Sequence, residues 1–135
     1  MAKTILVDSG FLVALLSRND QCHDWAITQA HQVPRPWVAC EAVLSETFYL
    51  VGQAGRRSLS ELLRRGGLTF PLDLGAELNP ILGLMDKYAN VPMSLADACL
   101  VRLTETFANP LLLTTDADFR VYRRHSRQVI PCLMP

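Results

Sequence analysis

With 135 residues, half of them apolar and 19% charged, the chain has globular composition, which excludes disorder and a small scaffold held only by disulfides. Thirteen basic and thirteen acidic residues cancel, which excludes the broad positive field of many nucleic-acid binders, so any polyanion must be met locally. No segment approaches the ~18 uninterrupted apolar residues of a membrane span and no small-residue cleavage pattern follows the first apolar run, so the expectation is one soluble cytoplasmic domain over residues 1–135.

Lys3 to Gly10 is an apolar run that stops on one carboxylate, Asp8. Such a run reads as a buried strand, and in open α/β sheets chemistry sits beyond the carboxyl ends of strands. Phe11 to Ser17 reads as a first helix directly behind Asp8 and Ser9. Asp20 is placed to cap a second helix through Trp25 and Ala30, ended by Val33-Pro-Arg-Pro36. Trp37 to Cys40 reads as a second strand and Glu41 to Ala54 as a helix closed by Gly55. Ser58-Leu-Ser-Glu61 has capping-box spacing and predicts a further helix to about Arg65, stopped by Gly66-Gly67.

Leu68 to Leu72 is the third strand, and Pro71 assigns it to an edge or a strand end. Asp73 opens a helix to about Asn90 that Pro80 must start late or kink. Ser94 to Ala108 is the next helix and Pro110 to Thr114 the fourth strand. A short basic helix is expected from Ala117 to about His125 and a fifth strand from Gln128 to Leu133. Strands separated by helices imply parallel pairing, so the predicted fold is a three-layer α/β/α sandwich around a central parallel five-stranded sheet.

Surface carboxylates are common, so the informative ones sit where solvation would not put them. At about 100° per residue, Glu41, Ser45 and Gly52 share the polar face of their helix, whereas Glu46 lies about 140° away among Ala42, Val43, Tyr49 and Leu50. A buried carboxylate needs a cation, hydrogen bonds or a proton. Asp97 reads equally as the Glu-like member of the capping box Ser94-Leu-Ala-Asp97, and Asp116 or Asp118 as a cap of the helix behind them. Asp116 is nevertheless the first acid after its strand, as Asp8 is after the first. If strands one and four are neighbours, these two acids face the crevice where strand order reverses.

Carboxylates gathered there would repel by on the order of 4 kcal/mol per close pair, which makes sense with a divalent cation. Oxygen-only ligands favour Mg²⁺ or Mn²⁺ over zinc. His23, His31 and His125 lie apart from these acids and read as surface or packing residues. Cys22, Cys40, Cys99 and Cys132 lack short paired spacings and read as reduced thiols. No Walker loop or Gly-x-Gly-x-x-Gly follows any strand.

The stretches Ile5-Leu-Val-Asp8-Ser-Gly10, Val43-Leu-Ser-Glu46-Thr-Phe-Tyr-Leu50, Met93-Ser-Leu-Ala-Asp97-Ala-Cys-Leu100 and Leu113-Thr-Thr-Asp116-Ala-Asp-Phe119, in that order, resemble the PIN-domain family and within it the VapC-type toxin ribonucleases. The resemblance implies an acidic Mg²⁺ or Mn²⁺ site that cuts RNA, with Asp8, Glu46, Asp97 and Asp116 as catalytic and metal-binding residues and Asp118 as the alternative fourth acid. It also implies a protein antitoxin as partner and a homodimer. Where many relatives have Thr-Asn or Thr-Ser after the first Asp, this chain has Ser9-Gly10 and loses the second polar side chain. Arg120, Arg123, Arg124 and Arg127 are candidates for positioning RNA phosphates, or else a solvated face. A PIN-like module that binds RNA or a partner without catalysis is the alternative. A receiver-like phosphorylation module lacks the Lys it would need after the fifth strand.

Overall fold

The apolar run near the N-terminus forms β1 (Thr4–Val7), whose Ile5, Leu6 and Val7 are all buried at the centre of the sheet. The computed structural model describes residues 2–135. The other strands of this sheet are β2 (Trp37–Val38), β3 (Leu68–Thr69), β4 (Pro110–Leu113) and, after two strands introduced below, β7 (Cys132–Leu133). Their order is β3-β2-β1-β4-β7 and every pairing is parallel. The five-stranded parallel sheet is therefore as expected, and strands one and four are neighbours, in register from Thr4 opposite Pro110 to Val7 opposite Leu113. Pro110 is tolerated because it is the first residue of its strand, while β3 is the edge that Pro71 indicated.

Among the described residues six α-helices cover the sheet: α1 (Ser9–Leu16), α2 (His23–Gln32), α3 (Glu41–Leu50), α4 (Gly52–Arg64), α5 (Leu78–Lys87) and α6 (Leu95–Glu105). α1 packs against α2, α3 and α4, and α5 against α6. Phe11 of α1 meets Trp25 and Trp37 edge to face, with ring centroids 5.9 and 5.5 Å away, and so ties the first two helices to β2. Pro80 falls in the first turn of α5, where its missing N–H costs no helical bond, and the helix starts late, at Leu78.

Five local expectations are corrected. Asp20 does not cap α2 itself: Cys22 holds the cap position, and Asp20 takes the Cys22 N–H one turn earlier at 2.8 Å. The helix predicted to run from Glu41 to Ala54 and close at Gly55 breaks at Val51, because Gly52 takes a left-handed φ of +68° that reverses the chain. Gly55 then lies inside α4, where a Cβ would stand 2.5 Å from the Val51 side chain, and Ser58 to Glu61 are interior to that helix instead of opening it. The basic helix is only a 3₁₀ turn, Ala117–Arg120. The chain then forms an antiparallel hairpin, β5 (Arg123–Arg124) with β6 (Gln128–Val129), turning through His125 and Ser126, which both have positive φ. The strand expected from Gln128 to Leu133 is thereby split at Ile130-Pro131 between this hairpin and β7.

All four cysteines are free thiols, Cys40 and Cys99 buried and Cys22 and Cys132 half-buried. His23 packs as expected, its Nδ1 2.8 Å from the Ala14 carbonyl oxygen. No helix among the described residues is long and apolar enough to cross a membrane.

Candidate active site

The register of the central strand pair decides where Asp8 lies. Its backbone N–H donates to the Leu113 carbonyl at 3.0 Å, which sets it beside Thr114 at the carboxyl end of β4. One carboxylate oxygen, Oδ1, accepts from the Ser9 N–H at 2.7 Å as the N-cap of α1. The other, Oδ2, accepts from the Thr114 hydroxyl at 2.8 Å. Thr114 Oγ1 in turn accepts from the Asp116 N–H at 3.0 Å, so one hydroxyl joins the two acids that end neighbouring strands. Asp116 caps the 3₁₀ turn by accepting from the Asp118 N–H at 2.9 Å.

Asp97 comes from the first turn of α6 in the predicted capping box: Ser94 Oγ accepts from its N–H at 3.0 Å and its Oδ2 accepts from the Ser94 N–H. That same oxygen lies 3.3 Å from the Tyr122 hydroxyl, which donates to it. The capping role and an inward-facing carboxylate therefore coexist in one residue. Glu46 reaches the site from α3, accepting a short hydrogen bond from the Ser9 hydroxyl. Its own face is not buried as projected, since Tyr49 is 88% exposed and Leu50 is also exposed. Glu46 is half-buried and is placed by Ser9 instead of by surrounding apolar side chains.

The electrostatics show that three of these acids feel one another. Asp8 is only 4% exposed, and burial raises its carboxyl to about 6. The Thr114 and Ser9 hydrogen bonds pull the other way, and the charges of Asp97 and Asp116 push it further up. Burial likewise raises Asp97, with Asp116 adding to the rise. Tyr122 is raised by its own burial and by Asp97, which keeps its hydroxyl a donor. The ion pairs among the described residues are Arg65–Glu61, Arg102–Glu77 and Arg102–Glu105, so none of the four predicted acids has a side-chain cation beside it.

Anionic oxygens held together against desolvation without a protein cation are a donor set that fits a hard divalent ion. Among the described residues, however, no three His, Cys, Asp or Glu already converge closely enough to hold one. The carboxylates are occupied by Ser9, Thr114, Ser94, Tyr122 and Asp118 donors that an ion would have to replace.

The four candidate arginines divide. Arg120 and Arg127 are exposed, whereas Arg123 turns its Nη1 to the carbonyls of Arg120, Val121 and Tyr122. Arg124 is 9% exposed, and its Nη2 donates to the Thr104 and Phe107 carbonyls at 2.6 and 2.8 Å. Ser9 and Thr114 went unrecognised as site residues, because a hydroxyl beside a strand end carries no spacing that sets it apart. Gly10 explains the departure at Ser9-Gly10: a Cβ there would stand 2.2 Å from the Thr115 hydroxyl, so Thr115 occupies the space that a side chain at position 10 would take.

Among solved structures the chain resembles the crystal structure of Mycobacterium tuberculosis VapC20, a sarcin-ricin loop cleaving toxin. The match has a TM-score of 0.77 and covers 87% of this chain and 94% of that one at 19% identity. At that identity the likeness establishes the fold alone, an α/β/α sandwich around a parallel sheet. No protein-family model and no curated protein matches the chain.

Proposed function

We propose that this protein is a Mg²⁺- or Mn²⁺-dependent endoribonuclease that hydrolyses RNA phosphodiester bonds, acting as the toxin of a toxin-antitoxin pair. The observation that supports the reading is that Asp8 and Asp116 end neighbouring strands and share the Thr114 hydroxyl, with the charge of Asp97 bearing on Asp8, burial raising Asp8 to about 6, and no protein cation paired with these acids among the described residues. The likeness to VapC20, whose described action is on the sarcin-ricin loop, supports RNA as the substrate class.

Asp8, Glu46, Asp97 and Asp116 would hold the ion, with Asp116 preferred to Asp118 because its charge bears on both Asp8 and Asp97. When bound, the ion supplies positive charge for the phosphate oxygens and lowers the pKa of an attacking water. Thr114 keeps the Asp8 carboxylate aimed and shares its hydroxyl with the Asp116 backbone, so the two acids are oriented as a pair. Ser9 does the same for Glu46. Exposed Arg120 and Arg127 are free to meet phosphates, which position without reading sequence. The same reading includes one domain over residues 1–135, a cytoplasmic location, a protein antitoxin and a homodimer. Exposed Leu50, Leu78 and Leu82 supply apolar surface for such partners.

Cleavage of a labelled RNA carrying a hairpin and single-stranded flanks, with Mn²⁺, with EDTA and with Asp8→Asn, tests this. Loss of one ligand is expected to slow cleavage about 10³-fold, on the order of 4 kcal/mol of transition-state stabilisation. Cleavage that survives both chelation and the substitution would overturn the reading. A second reading, a module of this fold that binds RNA or a partner without catalysis, is favoured by the lack of any three converging ligands among the described residues. Calorimetry in which wild type takes up no Mn²⁺ decides for it.

A further inference from the structure

α4 presents a run of basic side chains on a chain whose charges cancel overall. Its 13 residues hold Arg56, Arg57 and Arg64 with one acid, Glu61, and that acid is engaged by Arg65 at 2.8 Å. Leu59 is buried and Leu62 and Leu63 half-buried, which leaves the opposite side of the helix to solvent. Gln53, Arg56, Arg57, Ser60 and Arg64 recur at helical spacing and line one groove of about 290 Å³, whose remaining wall is Phe48 of α3. Arg57 and Arg64 form no ion pair among the described residues. Arg56 lies 5.6 Å over the Phe48 ring, so the apolar wall is itself covered by a guanidinium.

α3 also lines a groove at the acidic site. Tyr49, next to Phe48, borders a second groove of about 480 Å³ formed with Ser45, Glu46, Ser94 and Leu95. The Tyr49 ring, 88% exposed, stands where the two grooves meet along the chain.

We propose that the arginine face of α4 is a phosphate-binding track for RNA: Arg56, Arg57 and Arg64 grip the backbone and Tyr49 stacks a base on the way to Glu46. The inference rests on the ribonuclease reading for its substrate. Forked guanidiniums around a small, open, arginine-lined groove suit phosphate oxygens, and an exposed aromatic ring suits an unpaired base. An acidic peptide shares the charge, but the one aromatic wall it could dock against, Phe48, is covered by the Arg56 guanidinium. Arg123 and Arg124 are committed to backbone carbonyls, so they leave the phosphate role to arginines elsewhere.

The test is fluorescence anisotropy with a fluorescein-labelled single-stranded RNA of about 12 nucleotides in EDTA, which stops cleavage, repeated across salt concentrations. Each phosphate contact contributes about 0.7 to the slope of log affinity against log salt, so R56Q/R57Q/R64Q should lower the slope by about 1.4 to 2 and the affinity about tenfold at ~0.1 M salt. The triple Lys variant should keep most of the slope, and Tyr49→Ala should weaken binding at every salt with the slope unchanged.

An unaltered slope in the Gln variant, no RNA binding by wild type, or a loss confined to a competing oligoglutamate peptide would overturn the proposal. If binding depends on α4 while Mn²⁺ supports no cleavage, the ribonuclease reading fails and this inference stands. If cleavage proceeds and the slope is unmoved, the reverse holds.

Discussion

The two ends of α6 handle buried charge in opposite ways. At its C-terminus Arg124, reaching over from the hairpin, donates to the carbonyls of Thr104 and Phe107 and to Gln128 Oε1, with its Nε left unpartnered. A cation at the negative end of a helix is favoured, and its hydrogen bonds satisfy carbonyls that the last turn leaves open. At the N-terminus Asp97 also matches the macrodipole and completes a capping box, yet its carboxyl is held above its ordinary range by burial and by Asp116. Arg124's charge is consumed by the fold. The acids at the other end are more than the cap needs, and that surplus is what a bound ion would neutralise.

Removing the cation should break the first end outright. Arg124→Met strips two carbonyls of their donor inside a packed region, at about 1–3 kcal/mol for each group left unsatisfied, so a loss of roughly 4 kcal/mol in urea unfolding is expected. Cleavage per folded molecule should not change. A loss below about 1 kcal/mol would mean that these carbonyls find water, and that the C-terminal end of α6 is less closed than its hydrogen bonds indicate.

This contrast also separates what the sequence made legible from what it hid. The apolar run of β1 and the first acid after it place Asp8 correctly, because a strand that is buried on both faces has one register and one end. Asp116 follows by the same reasoning on β4. Glu46 reaches the site for a different reason from the one the helical projection offers: Ser9 binds it, and Tyr49 and Leu50 beside it are exposed. The region from Ala117 to Leu133 is hidden, since Arg123 and Arg124 read as phosphate contacts or a solvated face until the C-terminal carbonyls of α6, distant in sequence, claim the second of them. Gly52 and Gly55 exchange roles for a similar reason. Only the fold shows which of them bears the positive φ and which must let Val51 approach.

Neutralising the surplus at the other end should stabilise the protein. Asp8 has a folded pKa of about 6 against an ordinary 3.8, so between those values the folded state binds more protons than the unfolded one. Stability attributable to this group therefore falls as pH rises from about 4 to about 6, and the penalty stays constant above. Asn keeps the N-cap acceptor for Ser9 and carries no charge. Asp8→Asn should therefore gain up to roughly 3 kcal/mol at pH 7.5 in EDTA and almost nothing near pH 3.5. Mn²⁺ should raise the melting temperature of wild type and not of the variant, because only the wild-type cluster has the charge to exchange. Equal melting curves at both pH values would mean that Asp8 carries no electrostatic burden.

The finest division of the acidic end lies at Thr114, whose hydroxyl lowers the Asp8 pKa while accepting the Asp116 N–H. Thr114→Val keeps the shape and the β propensity but deletes both bonds. Asp8 should then titrate above its present value of about 6, so the acidic limb of a pH–cleavage profile moves upward, because ion uptake needs the carboxylate deprotonated. Removing a group that orients a ligand costs about 10- to 100-fold, so cleavage at pH 8 should fall about tenfold, or roughly 1.4 kcal/mol. Ser at position 114 restores the hydroxyl without the methyl group and should restore the limb along with the rate. Recovery of the rate with the limb still displaced would separate aiming the carboxylate from setting its charge. If Val lowers the rate and leaves the limb in place, Thr114 acts on Asp116 alone, and the two strand-end acids are not oriented as a pair.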